Sequence, residues 1–238
     1  MAERLNAYTA AKKFINHYFE NCDGAILAGS VVRDKATTTS DLDIVVFDQN
    51  IKEAFRESVI QFDWPIELFV HNLQTYKRFF QQDVERARPS LPRMVAEGKV
   101  IKSSHLILSI KDEASEIIKR GPAQWSEDTI RLKRYFISDS LIDFIGSTDR
   151  QESLFIANKL SIIVHEFVLR TNKQWIGDSK WIIRSLKEYN IAFAEMFVEA
   201  FEAFYRNNEK DKVIELVDNV LDPYGGRLFE GFQIGKGT

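Results

Sequence analysis

The feature that most constrains this chain is an asymmetry in its apolar periodicity. Strand-like runs occur only in the first hundred residues, and every later segment repeats its apolar residues at helical spacing. A strand alternates with period 2 and a helix with period 3.6, so the two patterns specify different packing partners. A chain that passes once from mixed to purely helical patterning is expected to be α+β, not alternating α/β. We expect a mixed β-sheet flanked by helices over residues 1–104. An all-α helical bundle should follow over 105–238, with the joint near 100–125.

In detail, residues 6–20 carry Tyr8, Phe14, Ile15 and Tyr18 near helical spacing, and Asn21-Cys22-Asp23-Gly24 breaks that helix. Ala25–Ala28 reads as a buried strand ending at Gly29-Ser30. Residues 31–40 predict a short helix and then a loop. Residues 41–48 predict a strand, 51–62 a helix, and 64–71 another strand. Residues 73–88 predict a helix stopped by Pro89 and Pro92. Beyond them, 105–119, 126–146, 151–171, 179–189, 190–207 and 209–221 all predict helices.

Composition narrows the function classes. With 32 basic and 35 acidic residues among 238, net charge is −3, and neither half is a basic module. Broad binding to a nucleic-acid backbone is therefore disfavoured. Cys22 is the single cysteine, which excludes an intrachain disulfide and a thiolate-rich zinc site. His17, His71, His105 and His165 show no metal-ligand spacing. No stretch approaches the ~20 apolar residues of a membrane span, and no apolar signal core follows the N-terminus. The expected compartment is the cytoplasm.

The segment richest in chemistry runs Gly29-Ser30-Val31-Val32-Arg33, then Ser40-Asp41-Leu42-Asp43. In a strand, Asp41 and Asp43 point to one face and Leu42, Ile44 and Val46 to the other. Two neighbouring carboxylates repel unless a cation joins them. Mg²⁺ suits an all-oxygen site and shares its shell with substrate phosphates. Glu67 lies in the next apolar strand and faces away from Ile66, Leu68 and Val70. It can bring a third carboxylate to the same cation. Upstream, the Gly29-Ser30 turn offers backbone N–H groups and a hydroxyl to phosphate oxygens, and Arg33 follows three residues later. Together these groups equip a site for metal-assisted phosphoryl or nucleotidyl transfer.

Gly-Ser, a spacer, Asp-x-Asp and a later strand acid resemble the nucleotidyltransferase fold of the DNA polymerase beta superfamily. The form Gly-Ser-x-x-Arg…Ser-Asp-x-Asp resembles the small bacterial branch with aminoglycoside and lincosamide nucleotidyltransferases. The resemblance covers roughly residues 24–72. It implies that Gly29, Ser30 and Arg33 hold a triphosphate and that Asp41, Asp43 and Glu67 bind metal, with two Mg²⁺ ions expected. It also implies ATP or another NTP as co-substrate, and a helical domain that binds the acceptor.

In the helical half, Asp139 and Asp143 stand at i and i+4, a mildly repulsive spacing. By position and charge they resemble the acidic pair that carries the general base in the kanamycin-nucleotidyltransferase type, although those acids are glutamates. Glu166, in a strongly apolar helix, and Asp83 are the competing candidates for the base. Trp175, Lys180, Trp181 and Arg184 cluster about a glycine break and suit either a ligand or bundle packing. The glycines at 225, 226, 231 and 235 read as a loop and tail.

The expected activity is transfer of a nucleoside monophosphate, AMP from ATP, to a hydroxyl of a small molecule, with release of pyrophosphate. An antibiotic is one candidate acceptor, which would make this an antibiotic-resistance enzyme. The alternatives are a protein-modifying nucleotidyltransferase of antitoxin type and a non-catalytic nucleotide-binding regulator. A homodimer is open on the sequence, and a membrane partner is not expected.

Overall fold

A computed structural model describes residues 4–33 and 36–235. The loop expected over 31–40 therefore lies outside the described residues at 34 and 35, and the tail does so at 236–238. The chain divides into two compact units, Met1–Gly121 and Pro122–Thr238.

The first unit is built on a five-stranded mixed sheet with strand order β3-β4-β2-β1-β5. Its strands are β1 (Gly24–Ala28), β2 (Leu42–Phe47), β3 (Phe55–Gln61), β4 (Trp64–His71) and β5 (Lys99–Lys102). Its helices are α1 (Ala7–Tyr18), α2 (Thr75–Glu85), α3 (Ser90–Glu97) and α4 (His105–Arg120). β1 runs antiparallel to both β2 and β5, β3 antiparallel to β4, and β2 parallel to β4.

Alternation divides the sheet residues between two faces. Leu42, Ile44 and Val46 of β2 join Ile66, Leu68 and Val70 of β4 in one apolar core, against Ala10, Ala11, Phe14 and Ile15 of α1. Ile44 and Leu68 are buried, and truncating either to Ala costs about 2–5 kcal/mol at such sites. The opposite face carries Asp43 and Glu67, then Val45 and Phe69, then Phe47 and His71, each pair aligned across the parallel ladder.

Three elements differ from the expectation. Residues 51–62 do not form a helix; 55–61 form β3, an edge strand exposed along most of its length. Being wet on both faces, it needs no apolar alternation, and its Arg and Glu residues protect a free edge. Its hairpin with β4 turns on Phe62 and Asp63, both at positive φ (55° and 62°). This is the left-handed pair of a type I′ turn without the usual Asn-Gly.

The helix expected over 73–88 does end before Pro89, at Glu85, but Pro89 and Pro92 also flank the start of an unexpected helix, α3. A proline in the first helical turn forfeits only an N–H that has no intrahelical acceptor. β5 was not expected at all. The first unit runs to Gly121 and so includes α4. Ser104 caps α4 by accepting from the Ile107 N–H, and Gly121 ends it at φ 76°.

The second unit is all-α: α5 (Glu127–Gly146), α6 (Arg150–Thr171), α7 (Lys180–Tyr189), α8 (Ile191–Asn207) and α9 (Asp211–Leu221). Ser126, Asp149 and Asn190 cap α5, α6 and α8 through their side-chain oxygens. Ile137, Leu141 and Phe144 of α5 are buried alongside Leu160, Val164 and Phe167 of α6. Arg134 donates to the carbonyls of Tyr224, Gly225 and Gly226, tying the C-terminal loop to α5.

Candidate metal centre

The parallel register sets Asp43 opposite Glu67, and Asp41 precedes β2 by one residue. One carboxylate oxygen from each of the three lies within 4.8 Å of the others. The three side chains are half-buried, open to an incoming ligand but partly withdrawn from water. Asp43 bears the cost. Burial, then the charges of Asp41 and Glu67, push its carboxyl up to about 6, against the opposing pull of Arg33 and Arg56. The residues fit a hard divalent cation: all donors are carboxylate oxygens, and the one in closest company is the one whose charge most lacks compensation.

Gly29 is required here for two reasons. It adopts φ 82°, ψ −160°, a conformation open essentially to glycine alone. A Cβ at this position would stand 2.1 Å from Asp43 Oδ2. The missing side chain is thus the space into which the Asp43 carboxylate projects. After Gly29 the chain makes a single 3-10 turn, Ser30–Val32, where a short helix was expected. The Ser30 hydroxyl donates to Ser40 Oγ at 3.0 Å, and Ser40 Oγ also accepts from the Thr37 N–H at 2.8 Å. These bonds hold the loop that delivers Asp41 beside the glycine turn.

Arg33 ends the 3-10 turn, and its guanidinium pairs with Glu97 of α3 at 2.9 Å. A phosphate there would have to share or displace that partner. The sequence reasoning missed Arg56. From β3, its guanidinium reaches Glu67 Oε2 at 2.6 Å and lies 4.9 Å from the Phe69 ring centre. No signal marked it, because its strand was read as a helix.

The remaining expected residues fall as follows. Asp83 of α2 is buried and accepts from the Leu91 N–H at 2.7 Å and from the Arg86 guanidinium. It caps the start of α3, although burial still pushes its carboxyl up. Asp139 is half-buried and Asp143 exposed on α5. Glu166 pairs with Lys133 at 2.8 Å, which supplies the partner that its apolar helix lacks. Trp175 is buried, and Arg184 lies over the Trp181 ring, 5.1 Å from its centre. Cys22 is buried, and burial raises its thiol pKa. Among the described residues no helix is long and apolar enough to cross a membrane.

Fold and donor set together define an α+β protein with an all-carboxylate cluster suited to a divalent cation. No family model matches the sequence, and no curated protein matches it. Among solved structures, a nucleotidyltransferase-like protein from Exiguobacterium sibiricum is similar at 11% identity and TM-score 0.45. That likeness covers 91% of this chain and 74% of that one. A likeness so slight leaves the chemistry to be argued from the residues.

Proposed function

We propose that this protein is a Mg²⁺-dependent nucleotidyltransferase that moves a nucleoside monophosphate, AMP from ATP, to a hydroxyl of a small-molecule acceptor. One observation carries the reading: three carboxylates from two paired strands converge beside a glycine that makes room for them. Asp41, Asp43 and Glu67 would hold the metal, which when bound neutralises triphosphate charge and lowers the pKa of an attacking hydroxyl. The Gly29-Ser30 turn would orient the phosphates, and Arg33 would exchange Glu97 for a phosphate oxygen. Arg56 holds Glu67 in place in the absence of metal. Asp139 and Asp143 remain the first candidates for the proton acceptor, with Glu166 and Asp83 after them. An antibiotic acceptor remains one proposal within this class.

The test uses α-labelled ATP with Mg²⁺ and a panel of hydroxylated small molecules, antibiotics included. Label on a small molecule with pyrophosphate release supports the reading. Label on protein would move it to the protein-modifying alternative, and nucleotide binding without pyrophosphate release to the regulator. Asp41→Asn with Asp43→Asn should abolish turnover. Full activity in that double variant would overturn the metal assignment. Single Asp139→Asn, Asp143→Asn, Glu166→Gln and Asp83→Asn variants identify the base, whose loss costs about 10²–10⁴-fold in kcat.

A further inference from the structure

The face of β4 that carries Glu67 continues to Phe69 and His71, and these two enter a cavity of about 380 Å³. Successive residues on one strand face stand about 7 Å apart, so the cavity begins one side chain from the carboxylate cluster. Its walls are apolar: Phe69, Phe79 of α2, and Leu91 and Met94 of α3. Phe79 keeps 37% of its surface exposed, an aromatic left open to solvent at the rim.

The polar groups in the cavity are few and placed. Arg56 lines it while its guanidinium also bonds Glu67, so one side chain borders both the cavity and the cluster. Arg86 lines it with its partner Asp83. His71 is 4% exposed, lines the cavity, and its Nδ1 has no hydrogen-bond partner. That nitrogen is itself closed off from solvent, so the ring serves the cavity as part of its wall. Burial lowers the imidazole pKa to about 4, so at neutral pH it presents one donor and one acceptor.

We propose that this cavity seats the ring of the acceptor, a one- or two-ring aromatic alcohol. The proposal rests on the nucleotidyltransferase reading and gives its acceptor a class. Aromatic walls and the guanidinium face of Arg56 suit a flat ring. The volume lies at the low end for small-molecule pockets, enough for two fused rings. Arg56 pairs with Glu67 and Arg86 with Asp83, and His71 is neutral, so the cavity's charges are compensated. Apolar walls with compensated charges offer nothing to a polycationic amino sugar. A ring seated here would pack on Phe69 and Phe79 and present a hydroxyl past Arg56 toward Glu67.

The experiment measures binding of 2-naphthol, 4-hydroxybenzoate and kanamycin to the full chain by calorimetry, without nucleotide or metal, so the result does not depend on turnover. The aromatic probes should bind and kanamycin should not. Phe69→Ala should weaken the aromatic probes about twofold to tenfold, the loss of one aromatic wall. Ala54→Phe, at the half-buried rim, should fill the cavity and abolish binding while leaving the thermal melt of the protein near wild type. No binding by either aromatic probe, or equal affinity in both variants, overturns the proposal. Aromatic binding in a protein that never releases pyrophosphate would keep the cavity as a ligand site and defeat the nucleotidyltransferase reading instead.

Discussion

Replacing Asp43 with Asn should stabilise the metal-free protein, and the size of the gain follows from the site. The Asp43 carboxyl rises from 3.8 to about 6 on folding. Between those values the folded state binds more protons than the unfolded state, so stability falls as pH rises through the window. Above pH 6 the full penalty stands. A shift of about two units at 1.36 kcal/mol each gives roughly 3 kcal/mol as an upper figure. Asn is close in shape and carries no charge, so it removes that penalty without emptying the space beside Gly29.

The assay is chemical denaturation of wild type and Asp43→Asn in EDTA at pH 8 and pH 4. At pH 8 the variant should be more stable by about 1–3 kcal/mol, and at pH 4 the two should converge. His71 titrates in both proteins and drops out of the difference. Mg²⁺ or Mn²⁺ at pH 8 should stabilise wild type and leave the variant almost unmoved, because ligand binding to the folded state adds stability only where the site is intact. A variant destabilised equally at both pH values would refute the argument. Asp43 would then be making a favourable contact that outweighs its repulsion.

Three further outcomes are expected. Gly29→Ala should cost about 2–4 kcal/mol in denaturation, from a glycine-only backbone conformation and the approach to Asp43 Oδ2. It should also abolish the stabilisation by divalent cation. His71→Leu should flatten the acid limb of the stability profile. The imidazole is lowered from 6.5 to about 4, so wild type loses up to about 3 kcal/mol as pH falls through that window, and the variant should not. Asp63→Gly should raise stability by up to about 1 kcal/mol, since glycine relieves the left-handed position of the β3–β4 turn, and equilibrium unfolding would show it.

The carboxylate cluster was legible because it depends on alternation. Asp41, Asp43 and Glu67 sit opposite runs of Leu, Ile and Val, and the pleat turns that spacing into a face. The helices of the second unit were legible for a similar reason: long apolar stripes with Ser126, Asp149 and Asn190 at their starts. What escaped was the part of the first unit that is exposed or held by non-local bonds. β3 is a wet edge whose turn is made by Phe62 and Asp63 in place of Asn-Gly. The start of α3 is capped by Asp83 from another helix, a contact no local pattern encodes. Missing β3 also hid Arg56. The Arg33–Glu97 pair joins residues 64 apart, which spacing alone cannot show.

The parallel pairing of β2 with β4 also divides the cluster in time. In a chain made from its N-terminus, β1 and β2 can close their antiparallel ladder while β4 is still unsynthesised. Asp41 and Asp43 are then in place with no third acid. Glu67 arrives later, carried by a hairpin whose two-residue turn closes in microseconds and then docks along β2. Docking of that hairpin is thus the step that adds a third like charge to the first two. The repulsion among the three acids is therefore met by a sheet whose first two strands can already be paired.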